Sequence, residues 1–426
     1  MGTKVAVVGG GSTYTPELVD SLCAHEDRLV VDELVLLDPD PDRLEAVGGL
    51  AGRILDEHGW KGQLVTTADR RRAIDGADFV VVQLRIGGQA ARHTDETVPV
   101  GYGCLGQETT GPGGLAKALR TVPVVLEIAE ETARHAAPGA WLVDFTNPVG
   151  IVTQSLLDEG HRAVGLCNVG IFVQRRVGHY LGVDPDRVQL EHVGLNHLTW
   201  ARSAVVDGVD RMPELLERFA PELELESGVP AGLLRLLGAL PSYYLHYYYR
   251  LAENLAEQSA PRWRSRAEVV AELESELLAE YRDPNLVSKP EKLSWRGGAF
   301  YSEAAVRLIA SLHAGTGDVQ VVDVRNDAAL PGLPDDAVVE VPCTVDREGA
   351  HPLSQRTLPP EMSGLVQHCK AYERLAVQAA TSGSRETAIR ALVANPLVGQ
   401  YPVAEQLTDA LLETNRRFLT RFFPEG

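Results

Sequence analysis

Lys4-Val-Ala-Val-Val-Gly9-Gly10-Gly11-Ser12-Thr13 decides the fold. Val5 to Val8 is an unbroken apolar, β-branched run, the signature of a parallel strand covered on both faces. Three glycines follow, so the backbone can turn sharply and approach a ligand with no Cβ between them. Thr15-Pro16-Glu17 then starts a helix, with Thr15 as candidate N-cap and Pro16 in the first turn. A helix N-terminus aimed at a glycine turn favours an anion such as a pyrophosphate. Gly9 and Gly11 fit the dinucleotide pattern G-x-G-x-x-G, but Tyr14 occupies the third small position. A second apolar run, Glu33 to Leu37, ends in Asp38. An acid there can accept hydrogen bonds from the adenosine ribose, which favours NAD over NADP. Asp38 can equally cap the turn Asp38-Pro39-Asp40. Gly9, Gly11, Ser12, Thr13 and Asp38 are the candidate cofactor contacts.

Further outward, apolar strands alternate with helical stretches as far as residue 170. Helices are expected over 41–58, 68–75 and 114–137, and strands over 63–67, 78–83, 141–145 and 162–166. This alternation predicts an α/β fold, a Rossmann-type, mostly parallel sheet over residues 1–170. From 171 to 426 the pattern changes to antiparallel strand material near 188–207 and 319–345, with helices near 213–281 and 361–423. A mixed α+β part for substrate and oligomerisation is expected there, the whole being lactate/malate dehydrogenase-like.

The chain has 426 residues, 44% of them hydrophobic and 23% charged, an ordinary globular composition. Its formal net charge of −19 argues against nucleic-acid or anionic-membrane partners. A phosphorylated small molecule stays open, because it needs only local positive charge. No run reaches the length of a membrane span, and no basic-then-apolar leader opens the chain. Five cysteines make no disulfide framework, so a reducing, cytoplasmic setting is expected. The default assembly is a homodimer or homotetramer.

Four segments fall where parallel strands end, the ligand-binding edge of open α/β sheets. Arg85, in Leu84-Arg85-Ile86-Gly87-Gly88, suits a phosphate or carboxylate through its two-pronged donor; a surface arginine beside a turn reads the same. Gly106-Gln107-Glu108-Thr109-Thr110-Gly111-Pro112-Gly113-Gly114 offers a carboxylate and hydroxyls before a helix carrying Lys117 and Arg120; a structural glycine loop fits it too. Asn147, in Asp144-Phe145-Thr146-Asn147-Pro148, can bond a sugar hydroxyl, although Asn-Pro is also a turn signal. Cys167-Asn168 pairs with Asn196-His197: thiolate and imidazole suit a transition metal, and two protein ligands leave positions open for a substrate. A buried structural cysteine and a lone histidine explain the same residues.

Two later stretches stand out. Pro241-Ser-Tyr243-Tyr244-Leu-His246-Tyr-Tyr-Tyr249 is either an aromatic interface helix or the source of a tyrosine base. Arg296, in Trp295-Arg296-Gly297-Gly298, can complete a phosphate site with Arg85.

Taken together, GGGSTYTPEL, LRIGG, QETTGPGG, FTNPVGI, GLCNV, GLNH, SYYLHYYY and RGGAFYSEA resemble glycoside hydrolase family 4 in order along nearly the whole chain. Cys167-Asn168 is similar to its 6-phospho-β-glucosidase branch. The resemblance implies an NAD- and Mn²⁺-dependent glycosidase, a known exception to two-carboxylate hydrolysis. It implies hydride removal from sugar C3, deprotonation at C2, elimination of the aglycone, water addition and return of the hydride. It implies Cys167 and His197 as metal ligands, Tyr244 as base with Tyr243 as competitor, and Glu108 as metal-water or substrate contact. Asn147 and Asn168 become sugar contacts, and Arg85, Ser12 and Arg296 phosphate contacts. Gly170 and Gln107 stand where the family often has Pro and Asn. The alternatives are a family member acting on an unphosphorylated or α-linked glycoside, a 2-hydroxyacid dehydrogenase, and a non-catalytic sensor.

Overall fold

The computed structural model describes residues 2–298 and 300–424. Six parallel strands form its first part: β1 Thr3–Val8, β2 Val31–Leu37, β3 Gln63–Thr67, β4 Phe79–Val82, β5 Trp141–Asp144 and β6 Ala163–Gly165. Their spatial order is 3-2-1-4-5-6, the Rossmann arrangement. The apolar runs exist because both faces are covered. Val5 and Val7 join one core with the helices 15–24, 41–57 and 301–314. Ala6 and Val8 join another with 111–135, 360–382 and 401–414. Helices from the second half of the chain thus cover both faces of the parallel sheet.

The sheet does not stop at β6. The later strands are β7 Val188–Leu195, β8 Leu198–Val206, β9 Val209–Asp210, β10 Leu240–Pro241, β11 Asp318–Arg325, β12 Val338–Asp346 and β13 Gly349–Pro352. β11 runs antiparallel to β6, with Asp323 opposite Gly165, and the order continues through β12, β7 and β8 to β10. The expected antiparallel strands are therefore present in one thirteen-stranded sheet. β10 interrupts the helical stretch expected near 213–281. Leu240 and Pro241 pair with Ala201 and Trp200, which attaches the tyrosine-rich segment to the end of β8.

The glycine turn is as tight as its sequence implies. Gly9 takes φ +92, and the amides of Gly9 and Gly10 both donate to the Leu37 carbonyl. A Cβ on Gly10 would lie 2.7 Å from Leu36 Cβ and 2.9 Å from the Leu37 nitrogen. Gly10→Ala is expected to cost about 1–3 kcal/mol by overpacking. A thermal-unfolding midpoint equal to that of the parent would contradict this. One local expectation changes. Tyr14, not Thr15, holds the N-cap position, without a side-chain cap bond. The Thr15 hydroxyl accepts instead from Gln83 Nε2 at 3.0 Å.

Candidate active site

A cavity of about 1000 Å³ opens at the carboxyl ends of the parallel strands. It extends from Gly9, Ser12 and Asp38, past Arg85 and Asn147, to Tyr244.

At the glycine end, Asp38 caps its turn and also reaches the cavity. Its Oδ1 accepts from the Asp40 amide and its Oδ2 from the Gly11 amide, each at 3.0 Å, while the residue lines the cavity. Ser12 lines the cavity as well, and its hydroxyl accepts from the Tyr14 amide. Thr13 does not face the cavity. It is fully buried, with its hydroxyl on Glu274 and its carbonyl accepting from the Tyr281 hydroxyl at 2.7 Å. Tyr14, in the third small position, lines the cavity too: its hydroxyl donates to the Gly298 carbonyl, and Arg296 lies 5.6 Å over the ring.

In the middle, two arginines converge on the same cavity, each on a buried carboxylate. Arg296 donates to Glu274 Oε1 at 3.1 Å through Nη2. Arg43 lies 3.6 Å from the same carboxylate. Burial raises the Glu274 pKa, but Arg296, Arg43 and Arg85 outweigh it and hold the group below the usual carboxylate range. Arg85 bonds Glu108, which also takes Lys117 Nζ at 2.6 Å and Arg92 Nη2 at 3.1 Å. Burial opposes the charge on Glu108, yet these three cations keep its pKa well below the ordinary value. Lys117 is pushed down to about 7, first by burial and then by Arg85. Glu108 thus gathers three cations at the cavity. Asn147 differs: it lines the cavity, and its buried Oδ1 has no hydrogen-bond partner.

At the far end, Cys167 follows β6 and His197 is the second residue of the β7–β8 turn, at φ +62. A non-glycine residue adopts that region only when its surroundings hold it there. Both are buried just beneath the cavity wall, and Asn168 beside Cys167 lines it. The Ser242 amide bonds the Thr199 carbonyl at 2.8 Å, which brings the tyrosine segment over the turn. The Tyr244 ring then stacks on His197, centroids 3.6 Å apart and planes within 10°. Tyr243 is 51% exposed, so only Tyr244 is enclosed with the histidine. Burial, followed by the charges of Cys167 and Glu108, raises the Tyr244 pKa. Burial pushes His197 down to about 3. The imidazole is therefore neutral, the form that binds metals. Thr109 Oγ1 lies 3.0 Å from Nδ1, leaving Nε2 as the ring nitrogen for a ligand. The Cys167 thiol is raised well above its ordinary value, by burial first and then by Glu340 and Asp323.

A thiol and a neutral imidazole fit a divalent transition ion chemically. Among the described residues no three His, Cys, Asp or Glu side chains form a metal-holding group, so these two donors stand without a third. The glycine turn, with its close backbone approach, fits a dinucleotide. Sequence reading missed three contributors. Arg92 and Glu274 sit on helices whose charges read like solvated faces. Tyr301, whose hydroxyl bonds the Cys167 side chain, lies in the Arg296–Glu303 segment that was noticed only for its arginine. Ala299 of that segment lies outside the described residues.

Comparison with known proteins agrees along the whole chain. Residues 4–183 match the model for family 4 glycosyl hydrolases, and residues 192–398 match that for the family 4 glycosyl hydrolase C-terminal domain. A probable 6-phospho-beta-glucosidase of Bacillus subtilis (strain 168) is 42% identical over 435 residues, covering 99% of this chain and 98% of that protein. The 6-phospho-beta glucosidase of Thermotoga maritima, solved with manganese, NAD+ and glucose-6-phosphate, is 32% identical with a TM-score of 0.90, covering 98% and 99% of the two chains. A 6-phospho-alpha-glucosidase from gut microorganisms, solved with NAD and glucose-6-phosphate, is 26% identical with a TM-score of 0.89, again covering 98% and 99%.

Proposed function

This chain belongs to the family 4 glycosyl hydrolases, and from that premise we propose that it hydrolyses 6-phospho-β-glucosides with NAD and a divalent metal. The observation that carries the reading is the single cavity, which joins the glycine turn, the two arginines and the enclosed Tyr244. The β-linked substrate is preferred because the relative at 42% identity is a probable 6-phospho-beta-glucosidase, while the α-acting structure is 26% identical.

NAD would lie on the turn formed by Gly9, Gly11 and Ser12 beside Asp38, and a cation such as Mn²⁺ between Cys167 and His197. Bound there, they supply a hydride acceptor and a Lewis acid. The chain's own residues supply the rest. Arg85 and Arg296 offer positive charge for the 6-phosphate. Glu108 stays ionised, and so keeps Arg85, Arg92 and Lys117 aimed at the cavity. The unpaired Asn147 Oδ1 accepts from a sugar hydroxyl, with Asn168 as the second sugar contact. Tyr244, held by its stack on His197, would take the proton from C2 as its phenolate, the form that the charge of a bound cation favours against the effect of burial. From the 3-ketone the C1–aglycone bond would break by elimination, water would add to the resulting enone, and the hydride that NAD had accepted from C3 would return there.

Hydrolysis of p-nitrophenyl β-glucoside 6-phosphate tests this, assayed with and without NAD⁺, Mn²⁺ and reductant, beside the unphosphorylated and α-linked analogues. Release from the phosphorylated β-glucoside that needs both NAD⁺ and Mn²⁺ is expected. Release from only the α-linked or unphosphorylated compound would keep the chemistry and overturn the substrate.

A further inference from the structure

Behind Cys167 and His197 lies a carboxylate that the proposed reaction does not use. Glu340 is on β12 and has no exposed surface. Its oxygens are divided between two partners. His192 Nε2 lies 2.8 Å from Oε1, and Asn196 Nδ2 donates to Oε2 at 2.9 Å. Burying an ionised carboxylate is costly, and an apolar side chain would serve a sheet interior with less penalty. Packing alone therefore does not account for glutamate at this place.

The partners indicate what does. His192 is on β7, and Asn196 is the first residue of the turn between β7 and β8, next to His197. Glu340 stands opposite Gly194, where β12 and β7 pair. Its side chain is a bridge from β12 to the turn, one residue before the histidine held at φ +62. The Thr109 hydroxyl fixes the ring of that histidine, and the Glu340–Asn196 bond fixes its backbone. The neighbouring Asp323 is a weaker candidate for this work. Both its oxygens are buried without a hydrogen bond, and burial, then the charge of Glu340, pushes its carboxyl well above the usual range.

We infer that Glu340 is a positioning residue for the cation site: through Asn196 it clamps the turn that presents His197. The inference rests on the reading that Cys167 and His197 hold the divalent ion. Two variants remove the clamp, one from each side. Glu340→Ala removes its carboxylate. Asn196→Ala removes its amide and leaves Glu340 in place.

Mn²⁺ affinity of the NAD-loaded full-length protein is the readout, from the electron-paramagnetic signal of free Mn²⁺. NAD affinity from fluorescence titration and the unfolding midpoint are measured alongside. Both variants are expected to raise the Mn²⁺ Kd about 10–100-fold, the usual effect of removing a group that orients a metal ligand. NAD affinity should stay within twofold, which a general loss of structure would not produce. A Mn²⁺ Kd within threefold of the parent in either folded variant overturns the inference. Should Glu340→Ala not fold, Asn196→Ala decides, because it leaves Glu340 and its His192 contact in place. Cys167→Ser serves as control. An unchanged Mn²⁺ Kd there would overturn the ligand assignment, and this inference with it. Loss of affinity in Cys167→Ser alone would overturn only the role of Glu340.

Discussion

In a Tyr244→Phe variant, turnover of a 6-phospho-β-glucoside falls by about 10²–10⁴-fold, the range that a positioned acid–base group contributes. The substitution removes one oxygen and keeps the ring, so the stack on His197 persists and the turn beneath it is undisturbed. NAD affinity therefore stays at the parent value. The loss falls on the C2 proton. In D₂O the parent is expected to exchange the C2 hydrogen of glucose 6-phosphate for deuterium, and the variant to do so slower by a similar factor. Hydride transfer at C3, read as NADH absorbance in a single turnover, continues. Tyr243→Phe is the companion, with turnover expected within a few-fold of the parent because that ring stands half in solvent. If Tyr243→Phe carries the large loss instead, the base lies one residue earlier.

Cys167→Ser produces the second large effect. Mn²⁺-stimulated hydrolysis falls to the level seen with chelator, and Mn²⁺ affinity weakens by more than about 100-fold, beyond the loss from disturbing an outer partner. The cause is proton affinity. A buried thiol with acidic neighbours keeps its proton until a cation displaces it, and a serine hydroxyl gives its proton up far less readily. The Rossmann-type sheet does not depend on the sulfur, so NAD affinity and the unfolding midpoint are retained. Full Mn²⁺ stimulation in this variant would remove Cys167 from the ligand set.

What could be read from the chain depended on how local each signal was. The parallel strands were legible because burial on both faces leaves an unbroken apolar run, as in Val5–Val8 and Phe79–Val82. The glycine turn was legible because each glycine meets backbone or side chain where a Cβ would stand. The tyrosine segment was conspicuous, but its use was not. Only the pairing of Leu240–Pro241 with β8 sets Tyr244 on His197, and a two-residue strand leaves no periodicity to find. The Glu108 cluster was hidden for a related reason. Arg92 shares its helix with Asp95 and Glu96, which are buried, and nothing in the spacing of the three distinguishes them from surface charges. Thr15 was misplaced by one position because its hydroxyl serves Gln83, a partner just beyond the end of β4.

The junction of the sheet also bears on how the protein is made. β6 is an edge of the parallel sheet until Asp318–Arg325 has been synthesised, and the faces are only partly covered until 301–314 and the helices that follow residue 360 arrive. A nascent chain that has reached residue 300 thus carries an open strand edge and incompletely covered apolar faces, the features that promote aggregation. Rapid expression should therefore trap the unfinished chain in inclusion bodies more readily than heat unfolds the finished enzyme. Slower translation or a strand-shielding chaperone should raise soluble yield without any change in sequence.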